Sequence, residues 1–479
     1  MTVTAASAPT TAGFLSLGEV SMACGGTWLS PMDIDSLARR TSGVATDSRV
    51  VSASGPGAIF VALKGDRFDG HDSLAEAAAR GCVAAIVSRP VAGVALPQCL
   101  VGDTVTAFQR LACAWRARLT ATVVAVTGSA GKTTTHRLLG AALGRAGVTC
   151  ASPKSFNNHI GVPISICRCP SDASFLVAEV GTNHPGEIEA LGAIVRPDVC
   201  VVTNAGRVHL EGLGSLAGVV AEKSSIAASL EPGGTAVAPI DQPELYAAVA
   251  SHGHRVVPFG SEAAGAGGVG IVSRTPTATG QLVEVLAFGA RASLELRLPG
   301  WHNARNASAA LAAAIVAGAS MEQATEGMAS VEPADMRMVR EDLGWCTLYN
   351  DAYNANPEAM RASLLTFAEL APARRRVVVL GEMRELGPAS ASLHAEVGAM
   401  AAATAQVCIF VGGDTRHGGA AAASAGAATG VTSHFFESLS DQTTSHIRSI
   451  LREGDAVLVK GSRGAAMERF IEGLRALGR

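Results

Sequence analysis

The sequence predicts an α/β protein of three domains built on mostly parallel sheets. Three observations predict it. The 479 residues correspond to about three domains at ~150 residues each. Apolar, β-branched runs alternate with Ala-rich stretches of helical length, the pattern of strand–helix–strand units. One of these runs passes through a glycine-rich turn directly into a helix. Composition agrees: 48% hydrophobic and 16% charged residues, with a mean hydropathy of +0.28, supply several buried cores and exclude wholesale disorder. Aromatics are only 4%, so the cores rest on Ala, Val, Leu and Ile. The 53 glycines exceed the usual ~7% and point to many tight loops.

Residues 15–118 form the first unit. Its segment DSRVVSASGPGAIFVAL reads as short strands around a turn, followed by a helix near 72–80. Residues 1–12, rich in Ala, Thr and Ser, read as a disordered tail. The second unit, 119–330, has strands at 122–127, 175–180, 199–203 and 235–239. A helix runs from about Lys132 to Gly144, and an Ala-rich helix covers 215–230. Within this unit 258–300 differs: a Gly/Ala-rich loop at 261–270 precedes QLVEVLAF and SLELRLP, whose alternation marks antiparallel hairpin strands. The third unit, 331–479, is a smaller Rossmann-like one with strands at 346–350, 376–380, 406–411 and 456–460. Helices are expected at about 357–370, 390–404, 440–452 and 464–477. The boundaries fall at Arg118 and around Val331–Pro333, and no repeat of fixed period is present.

The same arithmetic excludes several classes. A net charge of -3 argues against a nucleic-acid partner. The ten cysteines contain no CxxC pair, only the CxC of Cys167 and Cys169. That leaves no zinc spacing and no disulfide framework, so a cytoplasmic location is expected. The first basic residue is Arg39, which does not fit a secretory signal. No apolar run reaches the ~18 residues of a membrane span. No interface signal stands out, and a monomer is expected.

The strongest local signal is Gly128-Ser129-Ala130-Gly131-Lys132-Thr133-Thr134, placed between a strand and a helix. Backbone N–H groups of such a loop cradle phosphate oxygens, and its lysine supplies a fixed positive charge to the β/γ phosphates of a triphosphate. The Thr133 hydroxyl is placed to ligate Mg²⁺. The match departs from GxxxxGK[ST] at Val126, where glycine belongs. Glu179 ends the apolar strand FLVAEV, where a carboxylate reaches metal at the carboxyl edge of a parallel sheet. His209 follows the next strand, so two consecutive strands end in candidate metal ligands.

TGSAGKTT, FNNHIGVP, AEVGTNHPGEI, TNAGRVHLEGLGSLAGVVAEK, GWHNARNASAALAA, NDAYNANPEAM, LGEMRELG and KGSRG occur in this order. With TDSR and IFVALKGDRFDGHD near the start, they resemble the Mur ligases of peptidoglycan synthesis over nearly the whole chain. The resemblance implies ATP-dependent amide formation through an acyl phosphate. Its three domains would hold the UDP-linked substrate, bind ATP, and close over it. NDAYNANPEAM is similar to the member that adds D-alanyl-D-alanine to UDP-N-acetylmuramoyl-tripeptide, and a DNPR motif for adding the third amino acid is absent. A third-residue ligase, a folate-type polyglutamate ligase, and a P-loop ATPase without ligation remain as alternatives.

By resemblance, Glu179 and His209 hold Mg²⁺, and Lys223, fourteen residues after His209, is the lysine often carbamylated in the family. Its alternative is a solvated helix lysine. Asn303 is similar to the adenine-reading asparagine, with a helix cap as its alternative. Arg337 and Asp351 would reach the nucleotide phosphate and ribose. Ser48, Arg49, Lys64, Asp69 and His71 would face the UDP moiety. Asn157, Asn158 and His184 would line the muramyl-peptide cleft. Arg463 would lie near the dipeptide carboxylate, with a plain helix-start arginine as its alternative. Glu382 stands where the family usually has Asp, and it carries no assigned role.

Overall fold

The computed structural model describes residues 13–49, 51, 56–66, 68–152, 155–277 and 279–477. The tail expected over 1–12 lies outside them. Three sheets follow one another along the chain. The first has five strands in the order Thr27–Trp28, Gln98–Leu100, Ala84–Val87, Ile59–Val61, Val44–Ala45. A two-stranded hairpin, Lys64–Gly65 with Phe68–Asp69, stands beside it. The helix expected near 72–80 is Leu74–Ala79, preceded by a 3₁₀ turn at Gly70–Ser73. A helix that the sequence reading did not specify, Thr104–Arg116, is capped by the Asp103 carboxylate accepting from the Thr106 N–H at 2.7 Å. Phe108 and Leu111 on it join a core that continues into Val123 and Leu176 of the next sheet. Trp115 Nε1 donates to the Cys169 carbonyl at 2.9 Å and Arg116 Nε to the Val195 carbonyl at 2.8 Å, which fastens the first unit to the second.

The second sheet has nine strands. Thr122–Thr127 is third from one edge, with Phe175–Glu179 on one side and Val199–Val202 on the other, all parallel. Beyond them Thr149–Ala151 forms one edge. Thr235–Pro239, Arg255–Gly260 and Val269–Thr277 extend the other side, still in parallel. The expected antiparallel hairpin material, Gly280–Ala287 and Ala290–Leu296, completes this same sheet rather than forming a separate one. The helix expected over 215–230 runs only over Leu216–Ser224 and continues as a 3₁₀ segment, Ser225–Ser229.

The helix Trp301–Val316 explains the alanine richness. Its Ala304, Ala307 and Ala309–Ala314 positions are fully buried between the sheet and the helix Lys132–Leu143. Gly327 of the helix Met321–Ala329 packs so closely on Ala141 that a Cβ would overlap its carbonyl. Small side chains let three helices share one face at short separation.

The third sheet has six strands: Val339–Asp342, Thr347–Asp351, Ala456–Lys460, Arg376–Gly381, Val407–Val411, Thr432–Phe436. Only the first pairs antiparallel. Their apolar side chains, such as Val378, Leu380 and Leu458, fill a core separate from the central one. No helix of the described residues is long and apolar enough to cross a membrane.

Candidate active site

Thr122–Thr127 and its neighbours end together, where the sheet order reverses and a crevice forms. A cleft of about 1390 Å³ opens there, lined by Ser129–Thr134, Asn157, Asn158, Glu179, His184, His209, Asn303, Arg337 and Asp351. Its far wall comes from the third unit, through Tyr353, Glu358, Leu365 and Lys460.

Two glycines shape the phosphate loop. Gly128 and Gly131 have φ of 141° and 83°, and a Cβ at either would overlap Thr203 or Asn306. The loop is stitched to the segment after Val199–Val202. The Ser129 N–H donates to the Asn204 carbonyl at 3.0 Å and the Ala130 N–H to Asn204 Oδ1 at 2.9 Å. The helix Lys132–Leu143 opens on Gly131 with no side-chain cap, so its first N–H groups point into the cleft without intrahelical partners. Lys132 Nζ donates to the Gly128 carbonyl at 2.7 Å, and burial pulls its pKa down from the ordinary value.

Glu179 is buried. Its Oε1 accepts from Asn157 Nδ2 at 2.8 Å, whereas Oε2 has no partner. An unsatisfied buried carboxylate oxygen is costly unless something binds it, so this atom fits a cation. Thr133 Oγ1 lies 3.1 Å from Ser155 Oγ and accepts from Arg337 Nη2 at 3.2 Å. The Arg337 guanidinium sits 4.2 Å over the Tyr353 ring, which carries it from the third unit to the phosphate loop. Among the described residues no three His, Cys, Asp or Glu converge as a metal cluster.

His209 lines the cleft through a left-handed backbone at φ 52°. Its Nδ1 makes a short ion-pair contact with Glu385 Oε2, and that bond holds the Glu385 carboxyl below the usual range. Lys223 is wholly buried with no partner at Nζ, which removes the solvated reading. Burial first, then the Lys132 charge, drive its pKa well below normal. It stands behind the cleft wall rather than on it. Its neighbour Glu222 accepts from the Gly186 and Ile188 N–H groups at 2.7 and 2.9 Å and so caps the helix Glu187–Val195.

Other expected residues already have protein partners. Asn158 Oδ1 accepts from the Gly161 N–H at 2.8 Å, at the start of the helix Gly161–Cys167. His184 is exposed beside Glu187 at 3.3 Å. Asn303 lies inside the first turn of Trp301–Val316, not at its cap, and its Nδ2 donates to the Pro299 carbonyl at 2.7 Å. Asp351 accepts from the Met338 N–H at 3.0 Å, from Lys460 Nζ at 2.7 Å and from Ser363 Oγ.

The first-unit set is not brought into this cleft. Ser48 donates to Glu76 at 2.7 Å, Arg49 pairs with Asp47 at 2.7 Å, and Lys64 is exposed. His71, expected to face the UDP moiety, is held inside the fold. Its ring is 2% exposed, Nδ1 meets Asp69 at 2.6 Å, and Nε2 accepts the Ser88 N–H at 3.0 Å. Both nitrogens are used inside the fold. Arg463 is also outside the cleft lining, exposed and 3.3 Å from Glu468.

Sequence reasoning missed Lys460, Tyr353, Ser155 and Glu385. Lys460 had an available signal: it ends the apolar strand AVLVK as Glu179 ends FLVAE.

Comparison with known proteins completes the picture. Residues 126–314 match the Mur ligase middle domain, 336–463 the Mur ligase, glutamate ligase domain, and 40–113 the Mur ligase family, catalytic domain. The UDP-N-acetylmuramoyl-tripeptide–D-alanyl-D-alanine ligase of Escherichia coli K12 is 36% identical over 448 residues, 91% of this chain and 94% of the relative. Its namesake in Mycobacterium tuberculosis H37Rv is 32% identical, over 96% and 98%. A crystal structure of MurF from Acinetobacter baumannii aligns with a TM-score of 0.83 at 29% identity, over 96% of this chain and 99% of that one. MurF ligase from Thermotoga maritima in complex with ADP gives 0.77 at 26%, over 91% and 98%. A phosphate loop at the switch point, facing a second α/β unit across one cleft, thus occurs in a chain that belongs to the Mur ligase family.

Proposed function

We propose that the protein uses ATP to join D-alanyl-D-alanine to UDP-N-acetylmuramoyl-tripeptide, giving the pentapeptide, ADP and phosphate. The observation that carries this reading is the partnerless Glu179 Oε2 in the same cleft as the Lys132 phosphate loop. The substrates come from the relatives' names and their extent.

The chemistry follows from charge. A carboxylate is a poor electrophile at neutral pH. Its oxygen attacks the γ-phosphorus, the bond to the β–γ bridging oxygen breaks, and ADP leaves. The dipeptide amine then attacks the acyl carbon of the acyl phosphate, and phosphate departs as the amide forms. Negative charge accumulates at every stage, so positioned cations and N–H donors supply the catalysis. Lys132 and the free N–H groups of the helix Lys132–Leu143 bind the phosphates. Arg337 brings a second positive charge from the third unit. Asn157 orients Glu179. Thr133, Glu179 and His209 would hold Mg²⁺, which when bound supplies Lewis-acid polarisation of the phosphate oxygens. Asn303 would read adenine, and its held amide presents a fixed edge. A monomeric, cytoplasmic enzyme suits nucleotide-linked substrates and free thiols.

The test is incubation with Mg-ATP and UDP-N-acetylmuramoyl-tripeptide, with and without D-alanyl-D-alanine, following phosphate and product mass. Phosphate release should require the dipeptide, and release independent of it would overturn the ligase reading. Lys132→Ala should lower turnover by at least ~10²–10³-fold.

A further inference from the structure

His209 and Glu385 are 176 residues apart in sequence, on different α/β units, yet His209 Nδ1 meets Glu385 Oε2 across the gap between those units. Both have left-handed backbones, at φ 52° and 62°. Residues with a Cβ adopt this conformation only where the surroundings enforce it, and such positions cluster at functional sites. The contact is anchored a second time by the backbone, where the Glu211 N–H donates to the Glu385 carbonyl at 3.3 Å. Next to it, Arg207 spans the same gap, with Nη1 2.8 Å from Glu396 and its N–H donating to Glu358 at 2.9 Å. The bond to Glu385 uses Nδ1 of His209 and leaves Nε2 as the nitrogen available to a ligand. His209 lines the cleft, whereas Glu385 does not. The order is therefore cleft, imidazole, carboxylate. A histidine that ligates a metal usually donates its other ring N–H to such a carboxylate, which fixes tautomer and ring direction.

We propose that Glu385 is a positioning residue, delivered by the third unit, whose carboxylate fixes His209 for a divalent cation in the cleft. The cation site is then complete only when the two units are docked as seen here. This rests on the reading of His209 as a cation ligand. It ties metal binding to closure by a direct bond, so an open enzyme with bound nucleotide would hold the cation loosely.

The test uses the full chain with Mn²⁺ as the probe, a non-hydrolysable ATP analogue and the UDP-linked tripeptide. Mn²⁺ affinity and imidazole-nitrogen modulation in pulsed electron paramagnetic resonance are both read. The wild type should show the nitrogen signal and His209→Ala should lose it. Glu385→Ala should weaken Mn²⁺ binding at least ~10-fold, with the nitrogen signal returning at higher Mn²⁺. Glu385→Gln, whose amide oxygen still accepts from Nδ1–H, should fall between. Glu385 is 53% exposed, so these variants should retain the fold, checked by circular dichroism. Wild-type affinity and signal in Glu385→Ala, with the signal lost in His209→Ala, would overturn the proposal alone. No nitrogen signal in the wild type would overturn the reading of His209 as well.

Discussion

Two buried lysines lie in neighbouring units, Lys460 on the cleft and Lys223 off its lining, and their surroundings are opposite. Lys460, at the end of Ala456–Lys460, donates to Asp351 Oδ2 at 2.7 Å and to the Asn354 carbonyl at 3.0 Å. Lys223, near the end of Leu216–Ser224, has no partner at all. In the third unit Lys460 and Asp351 answer each other within the fold, although Glu358 Oε2, on the same cleft, also lacks a partner. The central unit holds an unpaired amine and an unpaired carboxylate oxygen, that of Glu179. Satisfied groups build a surface that docks, and unsatisfied ones mark where ligand is to be bound. Removing each lysine should therefore have opposite consequences.

The largest effect is expected at the paired one. Lys460→Met leaves Asp351 buried beside Ser363 with its countercharge gone, and breaking a buried pair costs about 3–5 kcal/mol. Urea unfolding should show that loss, and Asp351→Asn in the same chain should recover part of it. A loss under about 1 kcal/mol would mean that the pair is solvated and that the contrast with Lys223 is unfounded.

His302 sharpens the contrast because it lies between the two cases. It follows Gly300, which abuts Thr366 of the third unit. Burial pushes its pKa down to about 4, and the nearby charges of Asp351 and Lys460 act in opposite directions on it. Below pH ~6.5 the unfolded chain takes up a proton that the folded ring refuses. This contribution to stability is complete above pH ~6.5 and declines as pH falls towards 4. Between pH 7.5 and 5, wild type should lose about 2 kcal/mol more than His302→Asn. Equal losses in the two proteins would place the ring in water.

The same distinction explains what the sequence made legible. The phosphate loop depends on residues within one turn of each other, so spacing alone exposes it. Glu179 was legible because an apolar parallel strand must deliver its last side chain to the sheet's carboxyl edge. The surroundings of His71 were not, since a core histidine and a ligand histidine look the same in sequence until Asp69 and Ser88 are seen around it. Glu385 and Arg207 meet their partners only across a docking interface that no local pattern encodes. Among strands, Arg255–Gly260 was hidden by Pro258 in its middle, because proline normally argues against a central strand. Thr432–Phe436 is a half-exposed edge that lacks the apolar run of its neighbours.

The smallest effect in stability, and the most informative, is at Lys223. Its folded pKa lies well below the ordinary value, because burial and the nearby Lys132 charge disfavour the ammonium. That difference opposes folding throughout the range below the unfolded pKa. Lys223→Met fills the same space without the cost, and should leave stability equal or raise it by about 1 kcal/mol. If Lys223 is carbamylated, as the family resemblance implies, turnover should fall sharply at the same time, because the anion that would organise cations is lost. With Lys223→Ala, short carboxylates such as formate should restore part of the activity. A stabilised Lys223→Met variant with normal turnover would instead make Lys223 a packing residue, and the asymmetry between the two lysines would carry no catalytic meaning.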